Sequence, residues 1–486
     1  MKRIYFFISC LLFTLQINAQ EHWGAANSNY AGVMGHDLNP ASIVGTPFKW
    51  ELNFLAADVS LMNNYVYLQR NSGAVRAGMK GEGVSADRIQ VNNSKRDKSA
   101  FASVNLKLPS FMISRAKYGL GFHVATRMAL SVNGVPGPFA TFMKEGFTYT
   151  PLQKMDLSID NMKLAAMNWN EAGITAGVRL FDITTATMTA GITANYLYGM
   201  NSFYLDVNKL DYNVQSDSLW HIGLANAEYG HSLSADPNDL TKQKGSGFST
   251  SLGVQYYRGR NETAYDNCAK DKSMKKYDYK IGISLIDIGF INYNKNTLKF
   301  KISNISTDWY GIDTVKLSSA SNADSVFNSQ FFGSPTGGIS GESYNLWLPA
   351  AASFQFDLAC SPTIYINFSA IQRLPVGAHE LKRPNQLSIT PRFELKRLEV
   401  SIPYSYYDYF RHRIGLSLRL GALTIGSDMI GPFTGKFDAY GLNFYMGLRW
   451  QHFESCFKKH AKKPKEVKTA DNKGKDVKTS CFTDFK

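Results

Sequence analysis

The sequence predicts an all-β fold: a closed antiparallel transmembrane β-barrel of about 14 strands, with 12 to 16 allowed, preceded by an N-terminal plug segment. Three observations predict it. Apolar and polar residues alternate with a period of two over runs of about ten residues or more; a bilayer-crossing strand needs ~9 to 11 residues, whereas a sandwich strand has ~5 to 6. Beyond the first 20 residues, no uncharged apolar stretch approaches the ~18 residues of a spanning helix. The composition is 44% hydrophobic, 13% aromatic and only 19% charged, which excludes disorder, collagen-like and disulfide-scaffold classes.

The chain opens with Met1-Lys2-Arg3, an apolar run from Ile4 to Leu15, and Asn18-Ala19-Gln20. This reads as a secretory signal peptide over 1–19, cleaved after Ala19, with an uncleaved anchor helix as the alternative. Cys10 is a poor lipoprotein cysteine because Leu11-Leu12-Phe13 continues the apolar run beyond it. Removing 1–19 leaves 51 basic and 39 acidic residues, a charge of +12. Residues 20–47, with Asn39-Pro40-Ala41 and several glycines but no period of two, read as a plug or hatch.

The barrel is expected over 48–452. Phe48, Trp50, Leu52 and Phe54 alternate with Lys49, Glu51 and Asn53, so one face is apolar and the other polar. Leu120, Phe122 and Val124 alternate with Gly121, His123 and Ala125; Ile174, Ala176, Val178 and Leu180 with Thr175, Gly177 and Arg179. Phe444, Met446, Leu448 and Trp450 oppose Tyr445, Gly447, Arg449 and Gln451. A hydrocarbon solvent forces such strands to close, because unpaired edge groups would each cost several kcal/mol. Sixteen candidate strands result: 48–57, 60–68, 98–107, 110–117, 119–133, 168–181, 186–204, 247–258, 277–290, 345–358, 363–373, 386–396, 398–407, 411–420, 421–429 and 438–451. The rival is a secreted β-sandwich or solenoid, the latter weakened by the lack of a fixed repeat.

Phe181-Asp182 and Gly421-Ala422 read as tight periplasmic turns, and 69–97, 134–167, 205–246, 259–276 and 297–344 as outward loops. Segment 259–276 is charged enough to offer a surface for anionic lipopolysaccharide or polysaccharide, against the plainer reading of a solvated loop. Segment 316–343 reads as a mobile loop or entry lid. Lys49, Glu51, Arg127, Arg179 and Arg449 are expected to face the lumen, as part of ion-pair ladders that include Asp287 and Asp428.

The tail, 453–486, carries ten Lys against five acidic residues, or +5. It is expected to be a solvated periplasmic tail; contact with peptidoglycan carboxylates, inner-leaflet headgroups or a periplasmic protein is the functional alternative. Cys456 and Cys481 are the candidate disulfide, with two free thiols as the alternative. The cysteine and histidine spacings match no metal site, and no phosphate-cradling loop or Gly-x-Ser-x-Gly elbow occurs. The chain is therefore expected to be no enzyme, with no cofactor and no metal. His123 and Ser131, eight residues apart on one strand, lie ~26 Å from each other at ~3.3 Å per residue and cannot form a direct dyad. Nucleic-acid binding is unsupported, since the basic excess concentrates only in the tail.

Asn39-Pro40-Ala41 ahead of a first strand resembles the Asn-Pro-Ala element of FadL-like hydrophobic-compound transporters and of the PorV and PorP barrels attached to the type IX secretion system. With Phe48-Lys49-Trp50-Glu51-Leu52-Asn53, Asn195-Tyr196-Leu197-Tyr198-Gly199, Gly282-Ile283-Ser284-Leu285-Ile286-Asp287-Ile288-Gly289 and Arg419-Leu420-Gly421-Ala422-Leu423-Thr424-Ile425-Gly426-Ser427-Asp428, the ensemble resembles an uncharacterised family of Bacteroidota outer-membrane barrels. The matching blocks span most of 30–68, 170–200, 245–293 and 386–451. The resemblance implies an outer-membrane location and a barrel of about 14 strands with an N-terminal plug; the Lys-rich tail and 297–344 depart from a minimal FadL-like barrel. Two functions follow as expectations: a conduit for small, including hydrophobic, molecules, or a structural or secretion-associated barrel that recruits surface or periplasmic partners. Outer-membrane lipids would be its surroundings in either case.

Overall fold

A computed structural model describes residues 22–71, 73, 88–233, 239, 241–261, 274–315 and 319–453. The signal-peptide residues 1–19 and the tail with Cys456 and Cys481 lie outside the described residues. Fourteen antiparallel wall strands form one ring. They are β1 (Trp50–Asn63), β2 (Lys98–Lys107 continued by Ser110–Ser114), β3 (Tyr118–Val135), β4 (Leu157–Ile183), β5 (Ala186–Val214), β6 (Gly245–Arg258) and β7 (Tyr279–Tyr293). There follow β8 (Tyr344–Trp347 and Ala351–Ala359), β9 (Ile364–Arg373), β10 (Gln386–Glu394), β11 (Leu398–Ser401 and Tyr404–Tyr407), β12 (Arg411–Ile414 and Leu416–Leu420), β13 (Leu423–Ser427) and β14 (Gly441–His452). The first and last strands close the ring from Trp50↔His452 to Met62↔Gly441.

Burial is inverted relative to a water-soluble protein. Phe248 is 71% exposed and Ile174 62%, whereas Glu51 is 0% and Arg392 2% exposed. The apolar set of the period-two pattern therefore forms the outside, with Leu120, Ile192, Ile283, Phe354, Ile366, Ile389, Leu416, Leu448 and Trp450 among its exposed members. Only an apolar solvent makes that arrangement favourable, and closure of the ring pairs the backbone groups that such a solvent cannot satisfy.

Several expectations are corrected. Sixteen candidates become fourteen because 48–57 and the first part of 60–68, up to Asn63, are one strand, β1, and because 98–107 and 110–117 are one bulged strand. β1 pairs across the break, Asn53 with Ser110 and Ala56 with Lys107. Pro109, which has no N–H to give a ladder, sits at the interruption, where the Asn53 amide donates to the Leu108 carbonyl at 3.2 Å. The β4–β5 turn is Thr184-Thr185, since Ile183 still pairs with Ala186, and not Phe181-Asp182. Gly421-Ala422 is a turn as expected.

The supposed loops 134–167, 205–246 and 297–344 contain much strand. β4 and β5 run for 27 and 29 residues, and their far halves continue into a sheet with Leu219–His231 and Leu298–Tyr310. Helices cover one face of it: α2 (Gly137–Glu145), with Phe142, and α3 (Ala320–Phe332), with Phe327 and Phe331 against Trp309. The first helix in chain order, α1 (Trp23–Ala26), lies within the ring. Segment 316–343 is thus no bare loop: Ser319 caps α3 by accepting the Asn322 N–H at 3.1 Å, and Gly333 ends it in the left-handed region. Segment 259–276 leaves the opposite rim from the one expected. Arg258 pairs with Ala186, and the Gly259 N–H donates to Thr185, so it starts beside the tight turns.

Candidate functional site

The candidate site is the lumen and the strandless segment 22–47 inside it. Short turns are what its sequence permits: α1 (Trp23–Ala26), then 3-10 turns at Gly32–Met34 and Pro40–Ile43. Asn39, in the extended region, caps the last turn by accepting the Ala41 N–H at 3.0 Å, and Pro40 occupies the first helical position, where a missing N–H costs nothing. The Asn39 amide also donates to the Val254 carbonyl of β6 at 3.1 Å and to Gln355 Oε1 of β8 at 3.0 Å. The Asn39 amide also reaches the Ile283 carbonyl of β7 at 3.4 Å, and Thr189 of β5 donates to the Ala41 carbonyl at 3.3 Å, so Asn39-Pro40-Ala41 both builds a turn and ties it to four wall strands. Wall glycines make the approach close enough. A Cβ on Gly191 would lie 2.5 Å from the Pro40 carbonyl carbon, and one on Gly253 2.2 Å from Asn39 Oδ1.

Anchors surround the segment. The Trp23 N–H donates to Asp428 and its indole N–H to Gln386, both at 2.9 Å. Ser28 donates to Glu399 at 2.7 Å, Asn29 to Glu394 at 2.8 Å, and the Val33 N–H to Glu51 at 2.8 Å. Asp37 pairs with Lys107 at 2.6 Å, Ser284 donates to the Leu38 carbonyl at 2.6 Å, and Arg260 to the Gly45 carbonyl at 2.6 Å. His22 meets Asp58. Partners on so many strands place 22–47 within the ring.

Of the residues expected in the lumen, Glu51 accepts from Val33 and from Gln451 at 2.6 Å. Arg449 lies 3.8 Å from Glu51 and donates to Thr424 at 2.9 Å and to the Tyr30 and Ala31 carbonyls. Arg127 holds Asp287 through two bonds of 2.9 Å and Glu171 at 3.3 Å, over the Trp169 ring. One is corrected: Lys49 stands just ahead of β1 and is exposed at the rim. Arg179 faces inward as expected, its side chain 6% exposed and its guanidinium beside Gly45 of the segment, and it also pairs with Asp182 near the β4–β5 turn. Asp428 is bound by the segment's own N–H groups, whereas Ser131 accepts the Lys382 N–H, apart from His123.

Sequence reasoning missed a second lumen network. Arg392 makes two bonds to Asp357, at 2.9 and 3.0 Å, and one to Glu394 at 2.9 Å; Tyr277 donates to Asp357 at 2.5 Å, and Arg419 to Glu399 at 3.0 Å. The signal was charge two residues apart, Arg392 and Glu394, on the polar face of an otherwise apolar strand.

Within the segment, burial and the nearby Lys107 cation lower the His36 imidazole to about 3, so it is neutral. Burial works against ionisation of Asp37, but Lys107 overrides it and holds the carboxyl well below its usual range. His22, despite burial, is raised by Asp58. A cavity of about 60 Å³ remains between segment and wall.

Residues 40–428 match the model of a family of unknown function, DUF5723. No curated protein matches the chain. Among solved structures, a deletion mutant of the TodX monoaromatic hydrocarbon channel is 9% identical, covers 90% of this chain and 100% of its own, and has a TM-score of 0.44. The Ralstonia pickettii toluene transporter TbuX is 7% identical, with 87% and 94% coverage and a TM-score of 0.39. A Pseudomonas aeruginosa FadL homologue is 8% identical, with 90% and 99% coverage and a TM-score of 0.39. All three scores lie below 0.5.

Proposed function

The chain belongs to the DUF5723 family of unknown function, and from that premise we propose a bacterial outer-membrane barrel that conducts small molecules through a lumen gated by residues 22–47. The tight-turn rim faces the periplasm and the sheet built on β4 and β5 stands outside. One observation carries the reading: the lumen is occupied by a strandless segment held by side-chain hydrogen bonds and ion pairs, not by shared β-ladders. Each such bond is worth about 1 kcal/mol net and can be exchanged for water, so the plug can shift while the ring stays closed.

The test is solute flux into proteoliposomes. Asp37→Asn combined with Glu51→Gln weakens the anchors at Lys107 and Val33, and is expected to raise flux several-fold over the wild-type chain. Variants that keep the folded barrel yet pass no more solute than protein-free vesicles would remove the conduit reading. A second reading, a barrel that recruits surface partners, is favoured by the helix-covered sheet beyond the membrane band. Crosslinking on intact cells that repeatedly captured one partner through Leu298–Tyr310 would support it.

A further inference from the structure

We propose that the cavity between segment 22–47 and the wall is a binding site for a small uncharged polyhydroxylated solute. This names the cargo class of the conduit above and rests on that reading only for the route of entry.

The site is polar where it is incomplete. Asn195 Oδ1 and His123 Nδ1, on side chains buried to 5% and 3% exposure, have no hydrogen-bond partner, nor does Asn105 Oδ1, and all three residues line the cavity. They come from β5, β3 and β2, so a molecule between them would join three wall strands. A buried polar atom left unpaired carries its full desolvation penalty, and that penalty returns as affinity when a ligand supplies the bond.

Charge decides against an ion. The ionic groups lining the cavity are already matched: Arg127 and Arg383 hold Asp287, Arg127 also holds Glu171, and Lys107 holds Asp37. Three cations face three carboxylates, His22 is matched by Asp58, His123 lies 3.7 Å from Glu171, and His36 is neutral. An added charge would enter a buried place with no counter-ion free to receive it. A hydroxyl suits the vacant groups better, because it can both donate and accept.

Size limits the ligand. One water needs roughly 10–15 Å³ by this measure, so about 60 Å³ gives room for a handful of heavy atoms. A three-carbon polyol is of that order. An aromatic hydrocarbon would fill the space but leave the amide and imidazole atoms unpaired.

The probe is glycerol, and the measurement is saturation-transfer NMR on the full chain in detergent micelles. Transfer to glycerol is expected with the wild type and at least a three-fold loss in Asn195→Leu. If that variant does not show the heat-modifiable mobility of a folded barrel, Asn105→Leu, at a half-buried position, takes its place. Equal transfer in wild type and variant, variant-sensitive transfer to toluene in place of glycerol, or no transfer because the cavity holds water alone would each overturn the proposal. Glycerol binding without flux in proteoliposomes would remove the conduit and keep this site; flux without glycerol binding would do the reverse.

Discussion

At the scale of single residues, Arg392 tests what the lumen charges are worth. It is buried between Asp357 and Glu394 with every bond near 2.9 Å. Bringing three charges out of water is costly, and mutual attraction offsets that cost only while all three are present. Arg392→Met is therefore expected to destabilise the barrel by about 3–5 kcal/mol, because Asp357 and Glu394 lose their nearest cation and keep only Lys280 at 3.6 Å and Lys276 at 3.9 Å. Guanidinium unfolding of the detergent-solubilised protein measures it, and a loss below about 1 kcal/mol, the range of an exposed pair, would show that water reaches the network. Gly191 tests the approach of the segment instead. Gly191→Val places methyls where the Pro40 carbonyl lies, so protease access to residues 22–47 should rise with the wall intact. Gly223→Ala, whose Cβ meets nothing closer than 3.8 Å, should change neither.

At the scale of elements, the segment's own ionisable groups set how its seating depends on pH. His36 is depressed to about 3 against an ordinary 6.5, so acid favours the released segment as pH falls from 6.5 toward 3. Asp37, also depressed, adds to the loss below its ordinary value of 3.8. His22 is raised and acts oppositely, contributing stability that is complete below 6.5 and lost as pH rises through its folded value. Lys107 and His123 are the other charged or titratable groups facing His36. The expected outcome is that His36→Gln flattens the acid side of the profile, read as hydrogen exchange of amides 23–47 between pH 6.5 and 4. An unchanged profile would place control in the wall. The same contrast explains what the sequence made legible. β14 and the membrane half of β4 read cleanly because one solvent lies on each side along their length. The far halves of β4 and β5 read as loops because α2 and α3 cover one face and water the other, so the apolar set no longer continues in register. Glu51, Arg127 and Arg449 were legible as inward charges on strands with strict alternation. Arg383 was not, because it stands in the connection between β9 and β10 and reaches Asp287 only through the fold.

At the scale of the whole molecule, strand length and burial together define a membrane band. β6 has 14 residues; at ~3.3 Å each and ~45° tilt it rises ~33 Å, enough for the ~25 Å apolar belt of an outer-membrane barrel. β4 at 27 residues rises ~63 Å on the same arithmetic, so more than half of it stands clear of lipid. The band must then lie on the half nearer Thr184-Thr185, where Ile174, Val178 and Ile192 are exposed. A charge placed there loses its hydration, whereas a charge on an equally exposed apolar residue outside the band does not. Ile174→Arg, within the band, is expected to cost more than about 1 kcal/mol on folding into phospholipid vesicles. Phe437→Arg, in the β13–β14 connection and 61% exposed against 62% for Ile174, should cost less than about 1 kcal/mol, since no strand carries it into hydrocarbon. Urea-dependent folding into vesicles separates the two. Equal costs at the two positions would mean that exposure, not lipid, governs the outer surface, and the apolar face of the ring would then need a protein partner to cover it.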